Sequence, residues 1–217
     1  MYLIKLIIIF IMLIFLICLI KKNKVENYNK EKDKLCKRLY KDKDNKNYKI
    51  IKNLFSKNYC NYIIKESEIY ASKYKWKKKR HTDYPTVDNE ITKKWSIYND
   101  IYKIVSSTIF TEIAKLYNIN KNDLGINEIF IVKYNTGGQT ELAYHEDGSE
   151  FSFIIALNDK FTGGGTTFKF NKKNIQLSIG DCLIFSGQNT HKGNEIITGN
   201  RYILTGFLNY KKGCNDN

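Results

Sequence analysis

The spacing of apolar residues changes along the chain and divides it. Residues 3–20 are apolar except for Lys5, and the uninterrupted part, 6–20, ends at Lys21-Lys22. From 21 to about 46, lysine, asparagine, aspartate and glutamate dominate. Such a stretch cannot bury enough apolar area to offset its ordering entropy, so it reads as a tether with some helix. Ser56 is a candidate N-cap for a helix from 57 to about 74. Ile97, Ile101, Ile104, Val105, Ile109, Ile113 and Leu116 recur at helical spacing and predict a second amphipathic helix. After Leu124-Gly125 the pattern becomes short apolar runs at 129–134, 151–157, 166–170, 181–185 and 202–208. Gly- and Asn-containing clusters separate them. Strands punctuated in this way predict a sandwich or barrel. Helices first and strands second predict an α+β domain, with supporting helices on one sheet.

The N-terminal run has two main readings. A spanning helix needs about 20 apolar residues, with about 17 as a lower limit. Residues 3–20 reach this if Lys5 snorkels to the interface. A signal peptide has a shorter apolar region, but no small-x-small cleavage site follows; the next residues are Lys21, Lys22, Asn23 and Lys24. The pattern favours an uncleaved transmembrane signal-anchor at 3–20, a charged tether at 21–47 and a compact domain at 48–212. The expectation is a single-pass membrane protein of the endoplasmic reticulum or another internal membrane. The positive flank after the run would keep the domain cytoplasmic, and no Asn-x-Ser/Thr sequon opposes this. A chain this rich in lysine gives the rule little contrast, so the side of the membrane stays open.

The 217 residues carry a net charge of +14. Such a charge attracts nucleic acid, anionic lipid or an acidic substrate. Dispersed lysines and an excess of Lys, Asn, Ile and Tyr instead fit a coding bias. One denser cluster, Lys75, Lys77, Lys78, Lys79 and Arg80 with Tyr74 and Trp76 between them, is a candidate anion contact. The five cysteines include no C-x-x-C pair, which argues against a zinc site or a small disulfide framework. Cys182 lies in an apolar run and reads as core.

Against this background His145-Glu146-Asp147, His191 and Arg201 stand out. On an extended segment, residues two apart point to the same side, so His145 and Asp147 would share a face while Glu146 points away. With His191 from beyond a later strand, two imidazoles and one carboxylate would leave three open positions on a metal, an arrangement suited to Fe(II), a cosubstrate and O₂. Arg201 opens the last apolar run. Its planar fork binds a carboxylate through two hydrogen bonds, and an arginine entering a buried strand needs such a partner. Tyr134 and Thr166 are candidate hydroxyl donors beside it, although a buried tyrosine is often only packing.

These residues resemble the Fe(II)/2-oxoglutarate-dependent dioxygenases, in particular the catalytic domain of procollagen-lysine hydroxylases, over roughly 54–210. The resemblance is carried by Leu54-Phe55-Ser56 with Cys60, by Tyr84-Pro85-Thr86-Val87-Asp88 and by Val132-Lys133-Tyr134. His145-Glu146-Asp147-Gly148-Ser149 with Phe151 and Ala156-Leu157-Asn158, the glycines of 161–168, and His191 through Arg201-Tyr202-Ile203 complete it. It implies a double-stranded β-helix (jelly-roll) and Fe(II) held by His145, Asp147 and His191. It further implies that Arg201 pairs with the distal carboxylate of 2-oxoglutarate, with Tyr134 and Thr166 as further cosubstrate contacts. Asp88 would be structural or near the mouth. The implied reaction consumes O₂ and 2-oxoglutarate, with L-ascorbate as accessory reductant, and hydroxylates a Lys or Pro side chain of a protein or peptide. Arg201 points to the lysyl enzymes. Thr166, where lysyl enzymes carry cysteine, points to the prolyl type.

Two other functions were weighed. A nucleic-acid dealkylating dioxygenase would suit the charge, but such enzymes carry a second arginine six residues after the first, where this chain has Phe207. A basic, membrane-tethered binding module without catalysis would not need the intact set at 145, 147, 191 and 201. Oligomeric state does not follow from the sequence.

Overall fold

A computed structural model of the chain describes residues 2–37, 39, 47–78, 80–211 and 214, with backbone only for 2–6. Lys79 of the basic cluster and most of the expected tether after residue 37 lie outside the described residues. Two compact units are distinguished, one through residue 42 and one from residue 43.

The first unit is carried by α1 (Tyr2–Cys36). The helix does not stop at Ile20 but continues through much of the expected tether, where Lys, Glu and Gln-like straight-chain residues lose little rotamer freedom in a helix. Among the described residues no helix is long and apolar enough to cross a membrane. This overturns the expected transmembrane anchor and the single-pass membrane localisation. The uninterrupted apolar run, 6–20, rises about 22 Å at 1.5 Å per residue, against a hydrocarbon core of about 30 Å.

In the second unit, Ser56 caps α2 (Lys57–Tyr74): its side chain accepts from the Tyr59 N–H at 3.2 Å. The second predicted helix is built in three parts, α3 (Tyr98–Ile104), a π-helical segment (Val105–Ile109) and α4 (Phe110–Tyr117). Ile97, Ile101, Val105, Ile109, Ile113 and Tyr117 are all buried. A strict four-residue repeat drifts about 40° per step around a 3.6-residue helix, and the wider π segment takes up the drift.

The strands are β1 (Tyr48–Ile51), β2 (Asp88–Glu90), β3 (Leu124–Asn135), β4 (Leu142–His145), β5 (Phe151–Ala156), β6 (Phe161–Gly163), β7 (Thr166–Phe168), β8 (Asn174–Ile175), β9 (Cys182–Ser186), β10 (His191–Gly193) and β11 (Ile196–Tyr210). Among the described residues they form two antiparallel sheets. The larger runs β1-β9-β5-β11-β3-β2, with β6 also on β11; the smaller runs β4-β10-β7-β8. Phe168 and Ile175 of the smaller sheet share one apolar cluster with Phe130, Val132, Ile154, Leu183, Phe185 and Ile203 of the larger. The helices cover the other face of the larger sheet: Tyr117 packs on Phe151, Cys60 reaches the Ala156 carbonyl and Glu68 accepts from Tyr202. This explains why β5 is buried at every position. The architecture is the expected α+β arrangement of an antiparallel sandwich with helices on one sheet.

Candidate metal centre

The smaller sheet brings the two histidines together. β10 pairs with β4 so that His191 stands directly opposite His145. Their ring centroids are 4.3 Å apart. Asp147 lies beside His145, two residues on, as the spacing implies. β4 ends at His145, and Asp147 is placed by its own N–H, which donates to the Gly187 carbonyl at 2.7 Å. The turn at 186–189 is strapped to this loop. The Gln188 side chain donates to the carbonyls of Asp147 and Ser149.

Gly187 is the tight point. A Cβ there would lie 2.2 Å from the Ser149 carbonyl oxygen, and backbone cannot rotate away. Gly187→Ala is expected to cost roughly 1–3 kcal/mol, the range for overpacking, and to weaken metal binding by displacing Asp147. Denaturant unfolding beside a metal titration measures both; an unchanged variant would mean that the loop is looser than its contacts imply.

The imidazoles are oriented by backbone. Nδ1 of His145 faces the Ala143 carbonyl at 2.8 Å, and Nδ1 of His191 faces the Asn189 carbonyl at 2.9 Å. A carbonyl only accepts, so each Nδ1 carries a proton and each Nε2 is left facing the cluster. His145 Nε2 lies 3.4 Å from Asp147 Oδ1, and His191 Nε2 lies 3.9 Å from Asp147 Oδ2. The three ligand atoms fall within 4.8 Å of one another, and all three residues are buried. Burial alone would raise the Asp147 carboxyl, but the charge of His191 and the hydrogen bond from His145 hold it below the usual carboxylate range. Burial pushes His191 down. For His145 burial acts the same way, but Asp147 outweighs it and raises the imidazole. A metal would take the imidazoles in their neutral form, and two neutral imidazoles with one ionised carboxylate form a set that suits Fe(II) with open positions.

The larger sheet supplies the second pair. Arg201 on β11 stands opposite Tyr134 on β3, and the guanidinium lies over the Tyr134 ring at 5.3 Å. Arg201 is 5% exposed, and its Nη1 is buried with no hydrogen-bond partner among the described residues. Burial lowers the guanidinium from its ordinary range and Tyr134 offsets part of this. Burial likewise raises the Tyr134 phenol. Among the described residues Arg201 has no carboxylate partner, as a site for an external one requires.

Both pairs and Thr166 line one cavity of about 420 Å³. All six residues singled out in the sequence, His145, Asp147, His191, Arg201, Tyr134 and Thr166, converge there. Nothing in the sequence pattern indicates that residues 80–84 also line it. His81 and Tyr84 line it, and the Tyr84 ring lies 5.1 Å from that of His145. Arg80, read as part of an anion contact, is turned inward: it donates to Asp88 and Glu128. Lys75, Lys77 and Lys78 are exposed. Asp88 is fully buried, accepts from Arg80 and Thr86, and is therefore structural. Arg80 is one of only three arginines in a lysine-rich chain, a sequence signal that it differs from the lysines around it.

No protein-family model matches the chain. The procollagen lysyl hydroxylase and glycosyltransferase of Acanthamoeba polyphaga mimivirus is 34% identical over 137 residues, covering 58% of this chain and 14% of that protein. Procollagen-lysine,2-oxoglutarate 5-dioxygenase 1 of Gallus gallus is 28% identical over 170 residues, covering 71% of this chain and 23% of that protein. The chain thus spans less than a quarter of the length of either relative. Among solved structures, the viral collagen prolyl hydroxylase of Paramecium Bursaria Chlorella virus-1 in its 2OG complex aligns with a TM-score of 0.58 at 14% identity, over 76% of this chain and 97% of that one. A Pseudomonas putida prolyl-4-hydroxylase aligns with a TM-score of 0.59 at 14% identity, over 75% and 91%. The two sheets therefore have the jelly-roll fold of these oxygenases.

Proposed function

We propose that this homologue of the procollagen lysyl hydroxylases is a 2-oxoglutarate- and Fe(II)-dependent hydroxylase of protein side chains. The observation that carries the reading is the pairing of two unlike sites in one cavity: a two-histidine, one-carboxylate cluster and a buried arginine with no internal carboxylate. His145, Asp147 and His191 would hold Fe(II), and Arg201 would pair with the distal carboxylate of 2-oxoglutarate, with Tyr134 and Thr166 beside it. With O₂ and 2-oxoglutarate, iron held there would supply an oxidative decarboxylation, to succinate and CO₂, coupled to hydroxylation of a substrate C–H bond. L-ascorbate is the accessory reductant of the same proposal.

The chain's own residues orient and shield. Backbone carbonyls fix both imidazoles, and Ile154, Phe185 and Ile203 give the cavity apolar walls that exclude water. Thr82, Asp83 and Tyr84 are exposed residues of its lining, where a peptide would enter. A lysyl side chain is the favoured target, because Asp83 and Glu146 place carboxylates on the same lining and a cation suits them. The prolyl reading keeps one specific support, Thr166 behind the glycine turn.

Peptide-stimulated succinate release tests this. Lys-containing peptides are expected to raise 2-oxoglutarate decarboxylation well above the peptide-free rate. Stimulation by Pro peptides alone would replace the lysyl assignment with the prolyl one. Phe207, which lines the cavity, stands where the dealkylating enzymes need a second arginine, so nucleic acid is not expected to stimulate turnover.

A further inference from the structure

We propose that Ser152 is a positioning residue that makes Asp147 a one-oxygen metal ligand and so keeps a coordination position open. The inference rests on the metal site proposed above. Ser152 sits in β5, a strand otherwise made of Phe, Ile and Ala. It is fully buried, and a hydroxyl buried there must find a partner. It donates to Asp147 Oδ2 at 2.5 Å, so the central strand of the larger sheet reaches the carboxylate held by the loop of the smaller one. Ser149 backs this arrangement: its Oγ is 3.2 Å from Ser152 Oγ and donates to the Phe151 carbonyl.

The consequence is geometric. A free carboxylate can turn both oxygens toward one cation and fill two positions. Here Oδ2 is engaged by a hydroxyl, while Oδ1, 3.4 Å from His145 Nε2, is the oxygen left for the metal. With two imidazoles and one oxygen bound, three positions of an octahedral ion remain, the number required by a chelating 2-oxo acid and O₂. Ser152 touches no reacting atom and acts only through Asp147.

Anaerobic Co(II) titration of the full chain, with visible spectra in the presence of 2-oxoglutarate, tests this. Ser152→Ala is expected to bind Co(II) about tenfold or more weakly, the usual effect of losing a partner of a metal ligand. Its cobalt spectrum with 2-oxoglutarate should differ from that of the wild type. Ser152→Thr, which keeps the hydroxyl, should restore both, and metal-free Ser152→Ala should melt within a few degrees of the wild type. Wild-type affinity and spectrum in Ser152→Ala would overturn the inference. So would a loss that Ser152→Thr does not reverse, or one matched by collapse of the metal-free fold. His145→Ala serves as the reference: if it loses Co(II) while Ser152→Ala does not, only this inference fails. If it too binds Co(II) normally, the proposed metal site fails and takes the inference with it.

Discussion

Asp147→Ala is expected to abolish Fe(II) binding and 2-oxoglutarate turnover together, and His145→Ala to do the same. Removing a residue that only orients a metal ligand already costs about 10- to 100-fold in affinity or activity, so loss of a ligand itself should exceed roughly 100-fold. The two variants differ in what they leave behind. Asp147→Ala removes the only carboxylate of the cluster, leaving two neutral donors and a buried Ser152 hydroxyl without its acceptor. His145→Ala leaves the carboxylate beside His191 and opens space beneath Tyr84. Asp147→Ala should therefore lose metal at least as completely, although its side chain contributes less to packing. Anaerobic metal titration beside a succinate assay distinguishes these outcomes. Equal iron content in the wild type and both variants would remove the catalytic reading and favour a binding module.

The strongest sequence signals were the ones with a long period. The cap and face of α2, the stripe from Ile97 to Leu116 and the inner strands β3, β5, β9 and β11 all repeat apolar residues over enough turns or alternations to be read locally. What escaped notice was short or polar. β4 and β10 hold four and three residues, too few to show alternation, yet they carry both histidines. β11 begins at Ile196, five residues before Arg201, because Ile196, Thr198 and Gly199 pair with β6. The Thr-Gly-Asn of 198–200 reads as a turn only when that partner is unknown. Spacing placed His145 and Asp147 on one side, and they do lie together. It gave no sign of the Gly187 carbonyl that captures the Asp147 N–H, a contact 40 residues distant in sequence. Residue types at the site were legible, whereas the long-range contacts that assemble it were not.

Arg201→Leu is expected to stabilise the ligand-free protein while removing its response to 2-oxoglutarate, two effects of opposite sign from one side chain. Without ligand the guanidinium is buried over the Tyr134 ring, and among the described residues Nη1 has no partner. A buried donor without an acceptor costs about 1–3 kcal/mol, and more when charged. Leucine removes that cost. For a chain of this size each kcal/mol moves the melting temperature by about 2–4 °C, so the metal-loaded variant should melt a few degrees above the wild type. Addition of 2-oxoglutarate should reverse the order. At 100 times its Kd a ligand adds about 2.7 kcal/mol to the protein that binds it, whereas the variant gains little, because truncating one partner of a buried charge pair costs about 2–5 kcal/mol. Arg201→Lys should fall between, since an ammonium keeps the charge but cannot form the paired hydrogen bonds of the planar fork; its KM for 2-oxoglutarate should rise with kcat less affected. Thermal melts of the Co(II)-loaded proteins with and without 2-oxoglutarate read all three. If 2-oxoglutarate raises the melting temperature of Arg201→Leu as far as that of the wild type, the cosubstrate carboxylate is anchored elsewhere, and the buried charge on β11 would be left without a function to offset its cost.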